Sequence, residues 1–235
     1  MSSEARELTC VTSMAARRIL EEAGQTFTET TGVQIRIEAM GGVDADRVVR
    51  AGHPCDLVAL AATPVAALIR DGYAAQSVSA DYARSSVAVA VAAGSPHPDL
   101  SSEAAVRSAF LAARAIGFST GPSGDHFRRL WQHWDLEKDL SERAVLAPPG
   151  TPVAKLLVDG VADIGLQQES ELLGMPGIEI AGCLPEPIAL TTIFSIALTT
   201  ASNNRDDAAR FVDFLRSPDA TAIIQRHGMQ PVSRL

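Results

Sequence analysis

The sequence predicts an α/β fold, a mainly parallel sheet with helices on both faces. Three observations point to it. Apolar runs of strand length alternate with segments whose apolar residues recur at helical spacing. The joints between them are rich in glycine, proline, serine and threonine. The 235 residues, 46% apolar and 20% charged, suffice for a large core, arranged as one domain or as two lobes.

Leu8–Ser13 reads as the first strand, and residues 15–30 as a helix whose Ile19, Leu20, Ala23 and Phe27 face inward. Thr12, Ser13 and Met14 make the turn between them. Val33, Ile35, Ile37 and Ala39 alternate with polar residues as a second strand, which ends at Met40-Gly41-Gly42. A short helix over 46–51 leads to a strand at 56–61, and Thr63-Pro64 opens a helix that runs to Asp71-Gly72. After a change of register at 81–86, the run 87–93 has the unbroken apolar character of a strand buried on both faces. A helix over 102–113 follows.

The stretch AIGFSTGPSGDHFRRLWQHW, residues 115–134, reads as strand, polar turn and helix. Thr120, Gly121, Ser123 and Gly124 form the turn, with the helix starting near Ser123 as its expected N-cap. Phe127, Leu130, Trp131 and Trp134 give it an apolar stripe. The unpaired N–H groups of such a helix start favour an anion. Asp125 and His126 stand on its first turn. Beyond it, 145–147 reads as a short strand, and Pro148-Pro149-Gly150-Thr151-Pro152 caps a helix through Leu157. Strands are expected at 162–168, ending in Gln167-Gln168, at 178–181 and at 191–198. Asn203, Asn204 and Asp206 are expected to cap a helix carrying Phe211, and Ser217-Pro218 starts the last one. In 140–146 and 182–190, loop and strand are not distinguished.

A formal net charge of −8 argues against nucleic acid or an anionic membrane surface as a general partner. No apolar run is long enough to span a bilayer, and the start carries no export signal, so the chain as written is expected in the cytoplasm, or in the periplasm if a signal was removed. Cys10, Cys55 and Cys183, odd in number and with apolar neighbours, read as buried thiols. No Cys/His spacing suits a metal, and neither a phosphate-loop pattern nor a dinucleotide fingerprint occurs; no metal and no cofactor are expected. Ser123, Asp125 and His126 lie too close in sequence for the usual nucleophilic relay.

In the order of its parts the chain resembles the type II periplasmic solute-binding proteins, and most of all their molybdate-binding branch, which also includes aconitate-isomerase-like enzymes. The residues that carry the resemblance are LTCVTSMAARRILEEAGQTFTETTGVQIRI near the start, GHPCDLVALA, LLVDGVADIGLQQESEL, and DDAARFVDFLRSPDATAIIQRHGMQPV near the end. The resemblance implies two Rossmann-like α/β lobes joined by a two-strand hinge, with a ligand cleft between them. Residues 1–82 and 197–235 would form the first lobe and 83–196 the second. It places ligand contacts at Thr12, Ser13, Met14, Gly41, Gly42, Ser85, Ser86, Thr120, Ser123, Gly124, Asp125, Thr151, Gln167 and Gln168. Where molybdate binders often present a tyrosine hydroxyl, this chain has the amides of Gln167-Gln168. Arg17, after the first turn, either meets a ligand carboxylate or faces solvent.

Two functions follow as expectations. One is an isomerase that moves the double bond of a small anionic polycarboxylate by allylic proton transfer. His126 is then its candidate base, because its intrinsic pKa suits proton shuttling. The other is a non-catalytic binder of molybdate or another oxyanion or carboxylate, in which His126 is a surface histidine bonded to Asp125. A small anion is the expected partner in both, and the monomer is the default state of the fold.

Overall fold

The computed structural model describes residues 6–148 and 150–232; the expected capping role of Pro149 lies outside the described residues. The elements in chain order are β1 (Glu7–Ser13), α1 (Arg17–Thr31), β2 (Gln34–Met40), α2 (Gly42–Arg50), β3 (Leu57–Ala61), α3 (Ala62–Arg70), β4 (Ala74–Ala92), α4 (Glu103–Ala112), β5 (Ile116–Phe118), α5 (Pro122–His133) and α6 (Glu137–Ser141). They continue with β6 (Ala144–Leu146), α7 (Val153–Val158), β7 (Ile164–Gln168), α8 (Glu169–Leu172), β8 (Ile178–Cys183), β9 (Thr191–Thr199), α9 (Arg205–Phe214), α10 (Pro218–Arg226) and β10 (Gln230–Pro231). A 3-10 turn over Met14–Ala16 joins β1 to α1. The chain forms two compact units, dividing at Arg84/Ser85 within β4 and again at Thr192/Ile193 within β9.

In the first unit β1 pairs in parallel with β2 and β3, and β3 pairs antiparallel with β9. The parallel register matches Ser13 with Met40 and Thr12 with Ala59. The strands therefore end together. Alternation along β3 sends Leu57 and Ala59 to one face, where α1, α9 and α10 supply Ile19, Phe27, Phe211 and Ile223. Val58 and Leu60 go to the other face, against Val49 of α2 and Leu68 of α3. Phe27 meets the Phe211 ring edge-on at 5.2 Å.

In the second unit β5 pairs in parallel with β6 and β7, and β4 pairs antiparallel with β7 and β8. The sheet is thus mixed: an antiparallel strand closes the parallel group in each unit. One face holds Val87, Val89, Phe110, Phe118, Phe127 and Trp131. The other holds Ala88, Ala90, Val153, Leu157 and Leu172.

Several expectations are corrected. β4 begins at Ala74, so the stretch read as a change of register is part of one 19-residue strand. Its first half mixes exposed Gln76 and Ser77 with buried Val78 and Tyr82, a pattern too irregular to read as a strand. Ser123 is not an N-cap; Gly121 holds that place with a φ of 89°, and Ser123 is buried inside α5. α9 has no side-chain cap, because the Asn204 amide is turned to Asp56 instead. Ser217 does cap α10, accepting from the Ala220 N–H. Residues 137–141 form α6, and Cys183 is exposed while Cys10 and Cys55 are buried, all three free.

Asp56, at the start of β3, is a knot of the first unit. Its Oδ2 accepts from the Thr9 N–H at 2.9 Å, and its Oδ1 accepts from Ser202 Oγ at 2.6 Å and Asn204 Nδ2 at 2.9 Å. Removing it leaves a partly buried backbone N–H on β1 without its acceptor. Asp56→Ala is expected to lower unfolding free energy by about 3 kcal/mol, read from urea denaturation, with an unchanged m-value.

Candidate functional site

Parallel pairing gathers the carboxyl ends of neighbouring strands on one edge, where ligands of open α/β sheets bind. In the first unit that edge carries Ser13, Met14, Gly41 and Gly42. A Cβ added at Gly42 would stand 3.8 Å from Ser13 Cβ, so the start of α2 lies against the end of β1. Ser13 is 8% exposed, and its Oγ has no hydrogen-bond partner among the described residues. Thr12, fully buried, gives its hydroxyl to the Ala59 carbonyl at 2.8 Å and is tied to the sheet. Met14 is half-buried. Arg17 faces solvent, 3.8 Å from Glu21 one turn on.

In the second unit the β5–β6–β7 register sets the turns after Phe118, Leu146 and Leu166 on one edge. The β5–α5 turn is held by a close approach. A Cβ at Gly124 would fall 1.9 Å from the Ser119 carbonyl oxygen, a position only glycine tolerates. Ser123 Oγ lies 3.5 Å from Ser119 Oγ, Thr120 is exposed, and Thr151 is half-buried. Asp125 is exposed and pairs with Arg128 at 3.3 Å, not with His126.

His126 turns its ring to the 184–190 segment, where Nε2 meets the Ile188 carbonyl at 2.8 Å. A carbonyl only accepts, so Nε2 carries the hydrogen and the neutral ring keeps its lone pair on Nδ1. Burial, with Arg129 nearby, holds the pKa below the usual histidine value, against the pull of the Ile188 bond. Burial thus favours the neutral ring. The same segment is anchored on Val87 of β4, whose N–H donates to Leu190 at 3.0 Å and whose carbonyl accepts from Leu184 at 3.1 Å. Val87 is in turn the register partner of Gln168.

Around that pair lies a group of buried polar side chains. Gln168, 2% exposed, donates through Nε2 to Thr192 Oγ1 at 2.8 Å, and its Oε1 has no partner among the described residues. Ser85 and Ser170, 2% and 5% exposed, also have hydroxyls without partners among the described residues. Ser86 is half-buried. A buried hydroxyl left without a bond costs about 1–3 kcal/mol, which a ligand or water must offset. Gln167 is different: its Oε1 accepts from the Val153 N–H at 3.1 Å and its Nε2 donates to Glu171 Oε2 at 2.7 Å, so both ends of the amide are engaged by protein.

Sequence reasoning missed Glu171. Burial pushes its carboxyl up to about 7, with the Gln167 N–H pulling the other way. The one available signal was its position four residues after Gln167, which only the short α8 converts into a contact. Among the described residues no group of His, Cys, Asp and Glu is placed to hold a metal ion, and no helix is long and apolar enough to cross a membrane.

The family model described as bacterial extracellular solute-binding protein matches residues 8–230. The chain belongs to that family. It is 30% identical over 232 residues to an aconitate isomerase from Pseudomonas sp., covering 96% of this chain and 88% of that one. Among solved structures, the Azotobacter vinelandii periplasmic molybdate-binding protein superposes with a TM-score of 0.79 at 21% identity, covering 97% of this chain and 100% of that one. The Mycobacterium tuberculosis sulfate-binding protein does so with a TM-score of 0.77 at 18% identity, covering 97% and 87%. The fold is the type II periplasmic binding protein fold, as the resemblance implied.

Two outcomes follow from this geometry. Gly124→Ala is expected to cost about 3 kcal/mol or more, since the clash is with backbone. Glu171 has a folded pKa raised above the unfolded value, so the fold binds its proton more tightly and loses stability as pH rises from 4.5 through about 7. Glu171→Gln is accordingly expected to stabilise the protein by about 1–3 kcal/mol at pH 8 and by little at pH 5. Thermal unfolding of both proteins across that range checks it.

Proposed function

We propose that this protein is an isomerase that interconverts cis- and trans-aconitate, with His126 as the proton-transferring base. The observation that carries the reading is the His126 ring: anchored through Nε2 on the Ile188 carbonyl, with the Nδ1 lone pair left as base and burial favouring the neutral form. The 30% identity to an aconitate isomerase over nearly the whole chain supports the same reading.

The reaction needs little else. The base takes a proton from the methylene beside a carboxylate, and the electron pair spreads over the allyl unit and onto carboxylate oxygen. The same proton, returned at the far carbon, completes the shift of the double bond. Hydroxyl and amide donors aimed at the oxygens that gain charge lower the barrier. Ser85 and Ser170, in the same unit as His126, supply such hydroxyls.

A second reading, a non-catalytic binder of an oxyanion or carboxylate, is favoured by those same partnerless hydroxyls, which suit any small oxyanion, and by the molybdate- and sulfate-binding proteins that share the fold. Proton NMR of the purified protein with each aconitate isomer separates the two. The isomerase reading expects the other isomer to appear, with His126→Ala slowing it by about a hundred- to ten-thousandfold. It also expects kcat/KM to rise with pH with a midpoint below the ordinary histidine value, because burial lowers the pKa of the free-enzyme base. No conversion over hours, with thermal stabilisation by molybdate alone, would establish the second reading instead.

A further inference from the structure

Gln167 sits between a backbone amide and a carboxylate, and its orientation is forced. The Val153 N–H can only donate, so the amide must turn Oε1 toward it, at 3.1 Å. Nε2 is thereby aimed at Glu171 Oε2, at 2.7 Å. Gln167 is 3% exposed; its bond to Val153 is buried and its bond to Glu171 partly so. The result is one chain of hydrogen bonds from α8 through β7 to the first residue of α7, directly after Thr151 and Pro152.

We propose that Glu171 is a positioning residue: through the Gln167 amide its carboxylate holds Val153, and with it the 151–153 turn, in the form that receives the ligand. The inference rests on the reading of Thr151 as a ligand contact. A charged acceptor makes a hydrogen bond roughly twice as strong as a neutral one and polarises the next bond in the chain. Protonation of Glu171 weakens the hold without breaking it. The raised carboxyl, near 7, puts that change inside the physiological range.

Neighbouring charges do not take over this role. β7 carries no titratable residue. Glu169 of α8 lies 3.8 Å from Cys183 Sγ of β8, Glu179 of β8 accepts from Gly94 N–H at 3.1 Å and meets His97 at 3.0 Å, and Lys155 of α7 pairs with Asp159 at 2.8 Å. Among the described residues, Glu171 is left with Gln167. An ordinary surface glutamate gives no such linkage.

The test follows the Gln167 side-chain amide and the Val153 backbone amide by 15N NMR from pH 5.5 to 8.5, in the wild type and in Glu171→Gln, which keeps an acceptor oxygen but does not ionise. Both signals are expected to titrate together with a midpoint near 7 in the wild type and to stay flat in the variant. In parallel, calorimetry with trans-aconitate is expected to show affinity falling about three- to tenfold between pH 8 and pH 6, with that dependence removed in Glu171→Gln and retained in His126→Ala. Amide signals that do not move with pH, or that move equally in Glu171→Gln, overturn the proposal. So does a trans-aconitate affinity whose pH dependence survives the substitution. If trans-aconitate does not bind, the isomerase reading fails; the same titration with molybdate then decides the positioning role, a pH dependence lost in Glu171→Gln upholding it and one unchanged overturning it.

Discussion

The in-phase parallel pairing of β5 with β6 and β7 is the constraint on which the rest of the second unit depends. Parallel strands advance together, so matching Phe118 with both Leu146 and Leu166 brings three strand ends to one edge. Three segments distant in sequence then become neighbours: the turn that begins α5, the turn that begins α7 and the end of β7 with Gln167 and Gln168. Everything chemical follows from that edge. Gly124 lets α5 close onto Ser119, which sets the first turn of the helix, and that turn aims His126 at Ile188. In the β4–β7 ladder, a slip of one residue would send Gln168 to the opposite face and leave Val87 without its partner.

The partnerless polar groups buried at that edge are neutral. Ser85 and Ser170 bring hydroxyls and Gln168 a free amide oxygen, and Arg128 is engaged with Asp125 and the Phe118 ring. The chain as a whole carries −8, so its long-range field repels an anion instead of steering it in. Affinity must therefore come from short-range donors that already stand without partners. Such donors need not be stripped of protein bonds before they bind. Their cost is carried by the free protein, which is why stability and recognition pull in opposite directions here.

Much of this was legible in the sequence, and the exceptions share a cause. α1 and α5 were readable because Ile19, Leu20 and Phe27, like Phe127, Leu130 and Trp131, repeat at helical spacing against a large core. The first half of β4 was not, because its buried Ala74, Val78 and Tyr82 stand four residues apart instead of alternating, and Ala74 joins one core cluster while Val78 and Tyr82 join another. α6 buries Leu140 alone within 137–141 and leaves no periodic signal. At the site, the sequence displayed two amides at the end of β7 but not that Val153 and Glu171 engage one of them. Side-chain commitment is a tertiary fact. Ser123 failed as an N-cap for the same reason: the Gly124–Ser119 approach starts the helix earlier, at Gly121.

The difference between holding an anion and rearranging one is small on this scaffold. Hydroxyls and amides at strand ends serve a carboxylate and an inorganic oxyanion equally well, since both present oxygen to donors. Catalysis adds one requirement, a base that remains unprotonated at neutral pH while standing in an anion site. An anion nearby would raise the pKa of a histidine and tend to charge it. Burial and Arg129 act against that tendency at His126, and Ile188 fixes which nitrogen stays free. The segment that presents Ile188 is itself bound to Val87, the residue paired with Gln168, so the groups that would hold an anion and the group that would move its proton are set by one strand.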